Sequence, residues 1–201
     1  MNWAFSSAFC FRHPRMTDSN WRTCPADLAD DEALTATVLE IHQGILQGQL
    51  AADPMVNLNL PIQQRAFRPI EGWRVLLLLT PWMLARLLFP SKPPALQIPE
   101  GWSAVERQDA DYLLLGPRMG FQLLGQPQQA HLNFHPRLGH YLLQPICLNM
   151  EPYPDAEAVF EEWNQVIRTR DENMEKAKRD CPLQKEVSRR ELFRRLRPSG
   201  E

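Results

Sequence analysis

The chain has 201 residues, of which 44% are hydrophobic and 23% are charged, and its formal net charge at pH 7 is −2. This balance is typical of one soluble globular domain, and it excludes a protein whose overall charge attracts nucleic acid or an anionic membrane. The four cysteines lie far apart without a Cys-x-x-Cys pair, so neither a zinc knuckle nor a disulfide scaffold is indicated and a cytoplasmic location is expected.

Composition divides the chain into three predicted parts. Residues 1–27 are expected to be a poorly ordered extension without an export signal, because their positive charges follow the apolar stretch. Residues 28–181 form a single predicted α+β domain. Residues 182–201 form a basic tail, in which residues 185–197 carry six basic and two acidic side chains.

An amphipathic helix is predicted over residues 28–50. Its apolar residues recur at three- and four-residue steps, and the acidic run DLADDE suits a helix N-terminus. After Asp53 and Pro54 the pattern changes to alternation, with Val56, Leu58 and Leu60 separated by asparagines. This alternation predicts the first strand of a sheet.

The most apolar segment, EGWRVLLLLTPWMLARLLFP over residues 71–90, has three possible interpretations: a membrane span, a core element or a surface for another protein. A membrane-spanning helix needs about 20 apolar residues, and the two arginines and the central Pro81 exclude it. Residues 75–79 predict a short buried strand. Thr80 followed by Pro81 then indicates the N-cap and first position of a two-turn helix over residues 82–88.

The second half of the chain supplies a hairpin and a further helix. Residues 131–135 and the chain from His140 onward form the predicted arms of the hairpin, in which Pro145 places the second arm at a sheet edge or breaks it. A helix is predicted after Asp155, its N-cap. The fold class that follows is α+β, a mainly antiparallel sheet packed with an N-terminal and a C-terminal helix.

Candidate catalytic and metal-binding residues are few. His131, His135 and His140 cluster in sequence, but a strand separates His131 from His135 by roughly 13 Å, so they are expected to be surface histidines without a metal. Cys147 lies in an apolar context typical of an unreactive thiol. No phosphate-binding, dinucleotide-binding or nucleophile motif is present. We therefore expect a protein without catalytic activity and without a cofactor.

Residues 67–90, FRPIEGWRVLLLLTPWMLARLLFP, closely resemble the signature of the HybE/HupJ family of [NiFe]-hydrogenase assembly chaperones. Two further segments resemble the family in the same order: LLLGPRMGF from Leu113 and LGHYLLQPICLNM from Leu138. The family commonly has a cysteine three residues after the tyrosine of the second segment, whereas this chain has Gln144. The resemblance covers roughly residues 32–197.

The resemblance implies a non-catalytic cytoplasmic chaperone that binds a hydrogenase subunit precursor during cofactor insertion and before twin-arginine export. The partner is the small subunit, the large subunit or both, with other maturation proteins as further candidates. Neither nucleic acid binding nor membrane insertion is expected. The alternative function is a redox or metal-handling factor that protects or delivers iron-sulfur or nickel-iron components, with Cys147, His135 and His140 as its candidate residues.

The expected client-binding residues come from the signature and from the end of the hairpin. They are Glu71, Trp73, Thr80, Trp82, Met83, Arg86 and Met150. Trp82 or Met83 is expected to contact the precursor from the exposed start of the helix, since aromatic residues, methionine and arginine are enriched in interfaces. On this hypothesis, replacing Trp82 by alanine weakens client binding and leaves the melting temperature unchanged.

The tail sequence SRRELFR, residues 188–194, resembles the twin-arginine motif of export signals. It is not expected to act as a signal itself, because only seven residues follow it and none of them forms an apolar region. Two interpretations stand: a basic, partly helical tail, or a mimic of the client's signal that occupies the client groove. The residues of the mimic are Ser188, Arg189, Arg190 and Phe193.

Overall fold

A computed structural model describes residues 20–166. The chain divides into two compact units, the first ending at Pro152 and the second beginning at Tyr153. In the first unit a helix α1 (Asp31–Ile45) precedes six strands: β1 (Gln63–Ile70), β2 (Trp73–Thr80), β3 (Met83–Pro90), β4 (Arg118–Leu123), β5 (Gln126–His135) and β6 (Gly139–Cys147). In the second unit, residues 156–166 are helical. The predicted α+β class with an antiparallel sheet and two helices is confirmed.

The six strands form one antiparallel sheet in the order β1-β2-β3-β6-β5-β4. Three strands, β3, β6 and β5, lie between β2 and β4, so a flat sheet would hold β2 and β4 about 19 Å apart. The rings of Trp73 on β2 and Phe121 on β4 nevertheless have their centroids 5.6 Å apart. The sheet therefore curls strongly, and we call the side on which these rings meet the concave face.

Helix α1 covers the opposite side, which we call the helix face. Asp30 caps the helix by accepting a hydrogen bond from the Ala33 amide at 3.0 Å, and Asp31 and Glu32 follow in the first turn, as the acidic run predicts. The buried residues of the helix pack on alternate residues of β2, β3 and β6. The predicted helix is confirmed up to Ile45, after which a π-helical turn, Leu46–Leu50, ends it.

The predicted helix over residues 82–88 is wrong, because β3 occupies this segment. Pro81 and Trp82 form a two-residue turn between Thr80 and Met83, which are paired across the β2–β3 hairpin. The Thr80 hydroxyl accepts a hydrogen bond from the Met83 amide at 3.0 Å, as an N-cap would, but here this bond closes a hairpin. Seven of the eight residues of β3 are buried. The apolar residues of this segment therefore follow neither the helical nor the strand periodicity by which a sequence distinguishes the two.

The strand predicted over residues 56–60 is also wrong, and the first strand begins at Gln63. Asp53 and Asn57 accept hydrogen bonds from the amides two residues further on, Met55 and Asn59. Short polar side chains that bond local backbone in this way favour turns over sheet pairing. The alternating apolar residues therefore lie in a loop.

The predicted hairpin is confirmed, since β5 and β6 pair from His131 with Leu143 to His135 with Gly139. The predicted edge position of its second arm is wrong, because β6 lies between β3 and β5 in the sheet. The pairing with β5 ends at Leu143, whereas the pairing with β3 continues to Cys147. Pro145 is tolerated because the strand is paired on one side only at that point.

Residues 20–27 belong to the fold. Trp21 is buried, and the Arg22 amide donates a hydrogen bond to Nδ1 of His140 at 2.9 Å. The prediction of a poorly ordered extension over residues 1–27 is therefore wrong for residues 20–27, and residues 1–19 lie outside the described part of the chain. In the second unit Asp155 caps the helix by accepting from the Ala158 amide at 2.9 Å, as predicted. The domain limits 28–181 and the tail 182–201 stay predictions.

Candidate functional site

The seven expected client-binding residues do not form one cluster. Glu71 and Trp73 lie at the start of β2, whereas Thr80, Trp82 and Met83 lie at its far end, roughly 23 Å away at 3.3 Å per residue. Arg86 lies between them on β3, half-buried, and donates a hydrogen bond to the Gln144 side chain at 3.3 Å. The structure thus separates the expected site into two ends of the sheet.

At the first end, Glu71 and Trp73 connect the two halves of the curled sheet. Glu71 and Gly72 form the β1–β2 turn with positive φ values of 46° and 80°. The Glu71 carboxylate accepts a hydrogen bond from the Leu124 amide at 2.6 Å, in the turn between β4 and β5. Together with the contact between Trp73 and Phe121, this bond gives the two residues a structural role.

At the second end, the turn Thr80–Met83, which we call the signature turn, is buried. Thr80 and Met83 have no exposed surface, and Trp82 is only 4% exposed. Met150 is fully buried too, and its carbonyl accepts a hydrogen bond from the Asn57 side chain at 2.9 Å. The expectation that Trp82 or Met83 stands at an exposed helix start is therefore wrong.

The indole of Trp82 belongs to a cluster of three aromatic rings, with those of His42 and Tyr112. The His42 ring stacks on the Trp82 ring with centroids 6.2 Å apart, and the Tyr112 ring meets His42 edge-on at 6.3 Å. His42 Nδ1 lies 2.8 Å from the Val38 carbonyl, so this nitrogen carries the proton and Nε2 is an acceptor. His42 Nε2, Trp82 Nε1 and the Tyr112 hydroxyl are all buried without a hydrogen-bond partner.

Burial of His42 makes the stability of the protein depend on pH. Desolvation lowers its pKa from the ordinary 6.5 to about 4, against the opposing effect of the bond to Val38. The unfolded chain therefore binds a proton on this residue before the folded chain does. The stabilisation that neutral His42 contributes is complete above pH 6.5 and is lost as the pH falls towards 4.

Between pH 6.5 and pH 4 we expect the free energy of unfolding to fall by about 3 kcal/mol on account of His42. Burial also lowers the pKa of His135 and His140, which steepens the fall. Urea unfolding of the wild type and of a His42→Leu variant at several pH values measures the effect. The variant should show a shallower dependence, and parallel curves for the two proteins would contradict the prediction.

The sequence did not point to a group of exposed apolar side chains above the signature turn. The Asn57 amide donates to the Pro81 carbonyl at 2.9 Å, and the Asn57 side chain binds Met150, so the loop 53–60 lies against both segments. Met55 and Leu58 lie within two residues of Asn57 in the chain, Leu148 lies two residues before Met150, and the three are 62%, 67% and 42% exposed. We call these three residues the end patch. Their apolar character was visible in the sequence, but their exposure depends on the loop.

The candidate ligands His135, His140 and Cys147 are not brought together in the described part of the chain. His140 is buried, not at the surface as expected, and both of its ring nitrogens have backbone partners: the Arg22 amide, and the Trp102 carbonyl at 2.9 Å from Nε2. Cys147 lies at the opposite end of β6 from the His135 turn. Among residues 20–166 no group of three or more potential ligands could hold an ion.

The expected signal mimic, Ser188, Arg189, Arg190 and Phe193, lies outside the described residues. Within residues 20–166, no helix combines the length and the apolar character needed to cross a bilayer.

The comparison with family models shows to which family the chain belongs. Residues 33–195 match the family model described as "[NiFe]-hydrogenase assembly, chaperone, HybE". The chain belongs to the HybE family. The signature at residues 67–90 lies inside the matched range, so the family that the resemblance implied is confirmed.

The similarity to individual proteins is weaker than the match to the family model. The solution structure of HybE from Escherichia coli is similar to this chain with 17% sequence identity and a TM-score of 0.39. The alignment covers 58% of this chain and 63% of that one, so the chain spans just under two thirds of that protein. No curated protein matches the chain.

Proposed function

We propose that this HybE-family chain binds a hydrogenase subunit precursor in the cytoplasm, during cofactor insertion and before twin-arginine export, without catalysing a reaction. The observation that carries the proposal is the end patch, an exposed apolar surface that the buried signature turn supports. Exposed apolar groups that lie together on a soluble protein commonly mark an interaction site.

The geometry beneath the patch favours binding of another protein. The signature turn is fully packed, and the two hydrogen bonds of Asn57 hold the loop of Met55 and Leu58 against it. Such a base fixes the loop backbone, so that less conformational entropy is lost when a partner binds. Met55 adds a flexible side chain that adapts to irregular surfaces.

The seven residues expected to bind the client keep a place in this proposal, with different roles. Thr80, Trp82, Met83 and Met150 support the end patch from below. Trp73 is buried against Phe121 on the concave face, and Arg86 and Glu71 are the accessible members of the set. Direct contact is thereby assigned to the end patch. The hydrogenase small subunit, the large subunit and other maturation proteins are the candidate partners, and the mimic role of the tail stays a hypothesis.

Replacing Met55, Leu58 and Leu148 together by glutamine is expected to reduce precursor binding about tenfold or more, which corresponds to about 1.4 kcal/mol. The melting temperature should stay close to that of the wild type, because Met55 and Leu58 lie largely in solvent and Leu148 is 42% exposed. The measurement is co-purification of the tagged protein from cells that express the hydrogenase operon, with mass spectrometry of the recovered subunits.

Leu124→Gln supplies the matched control, since Leu124 is 64% exposed but lies in the β4–β5 turn at the first end of the sheet. This variant should recover as much precursor as the wild type. Equal recovery by the triple variant would refute the end patch as the client surface. Loss in both variants would indicate a general effect of removing exposed apolar groups and would count against the proposal as well.

The alternative function, a redox or metal-handling factor, gains no support from the described residues. His140 has both ring nitrogens occupied, and Cys147 donates to the Asn149 carbonyl at 3.3 Å, at the other end of β6 from His135. We therefore propose only the chaperone function.

A further inference from the structure

A cleft of about 490 Å³ lies between the C-terminal part of α1, the segment 107–112 and the turn between β5 and β6. It is distinct from the end patch, and its size is in the range of small-molecule sites. Its walls are mainly apolar, with Ile41, Ile45, Ala110, Phe134 and Pro136 among them. Gly44 and Gly48 line it as well, and no atom lies within 4 Å of a Cβ built on either glycine. A ligand can therefore approach the helix backbone closely.

Two buried hydrogen-bond donors without partners belong to residues that line this cleft. The Nε–H of Arg107 and the hydroxyl of Tyr112 are buried and unpaired. His135 adds an N–H to the lining, because its Nδ1 accepts from the Arg137 amide at 3.2 Å and Nε2 therefore carries the proton. A buried donor left unpaired destabilises the fold, and two of them beside one cleft indicate an acceptor that is not part of the chain.

The charges of the cleft favour an anionic acceptor. Arg107 is held in place, with its guanidinium carbon 4.7 Å from the Trp102 ring centroid and Nη2 donating to the Asp111 carbonyl. Its unpaired, buried Nε–H is the kind of fixed cationic donor that binds a carboxylate. Asp109 also lines the cleft and opposes an anion, but it is exposed, so solvent screens its charge more than that of the half-buried Arg107.

We propose that this cleft binds a carboxylate attached to a small apolar group, with Arg107 and Tyr112 on the carboxylate and the isoleucines of α1 on the apolar part. The carboxylate is either the C-terminus of a peptide or that of a small organic acid. Both sources present the same charge and the same acceptor oxygens. The site is independent of the end patch, so failure of one proposal leaves the other standing.

Isothermal titration of the full chain with three probes tests the site: a tripeptide that ends in leucine, the same tripeptide as its C-terminal amide, and hexanoate. We expect the free-acid peptide or hexanoate to bind, and the amide to bind at least about tenfold more weakly than the acid. Binding by the peptide acid alone would identify a peptide C-terminus, and binding by hexanoate as well would extend the site to organic acids.

Substitutions then assign the binding to this cleft. Arg107→Lys and Tyr112→Phe should each weaken the bound acid about fivefold or more, and Asp109→Asn should tighten it. The matched control is Arg118→Lys, an exposed arginine on β4 outside the cleft, which should change nothing. Equal affinity for acid and amide, or no binding of any probe, would overturn the proposal and leave ordered water as the partner of the two buried donors.

Discussion

Replacing Trp82 by alanine is expected to lower the free energy of unfolding by about 3–5 kcal/mol. The indole is 4% exposed and belongs to the core between the sheet and α1. Its removal leaves a cavity beside His42, whose ring stacks on it with centroids 6.2 Å apart. Urea denaturation with a far-ultraviolet circular dichroism signal measures the change.

The control for this experiment is Leu58→Ala, which truncates a side chain that is 67% exposed and lies close to the same turn. This variant should unfold within about 0.5 kcal/mol of the wild type. A Trp82→Ala protein with unchanged stability and weakened client binding would restore the interpretation of Trp82 as a surface contact. Loss of stability in that variant is expected to weaken client binding too, since the turn supports the end patch.

Replacing Gly139 by alanine is expected to be nearly as damaging, with a loss of about 3 kcal/mol or more. Gly139 has a φ of 74° after the three-residue turn between β5 and β6, where a side chain is disfavoured. A Cβ atom there would stand 2.4 Å from the Arg22 carbonyl oxygen and 2.7 Å from that of Thr23. These nearest atoms belong to the backbone, so no flexible side chain can move away to make room for the Cβ atom.

Gly44→Ala is the matched control, because Gly44 is an exposed glycine in α1 with open space around its Cβ position. Alanine there should raise stability by up to about 1 kcal/mol through helix propensity. Thermal unfolding of both variants gives the comparison. A Gly139→Ala protein as stable as the wild type would contradict the packing of residues 22–23 against this turn.

The two wrong element predictions have one physical origin, the competition between local and tertiary hydrogen bonding. Thr80 and Pro81 look like a helix start, and the hydroxyl of Thr80 does bind the Met83 amide. The chain nevertheless continues as a strand, because β3 can pair with both β2 and β6. The alternation around Val56 looks like a strand, but the side chains of Asp53 and Asn57 bind nearby amides and turn the chain.

The candidate site could be read only in part from the sequence. The signature from Phe67 to Pro90 sufficed to recognise the family, and it also directed attention to Trp82 and Met83, which are buried. Side-chain type cannot separate a core tryptophan from an interface tryptophan, since both positions favour large apolar groups. The three residues of the end patch come from segments about 90 positions apart in sequence, so no local pattern could join them.

The sequence by itself determined the antiparallel α+β class, helix α1 with its acidic start, the hairpin at residues 131–147 and membership of a chaperone family. These features depend on local periodicity, on capping residues and on one long motif, and each of these signals lies within a continuous stretch of sequence. Only the tertiary structure decided that β3 is a strand, that β6 is central, that the sheet curls until Trp73 meets Phe121, and which apolar residues stay exposed. Pairing and burial depend on contacts between distant segments, and the free energy of those contacts outweighs local preference.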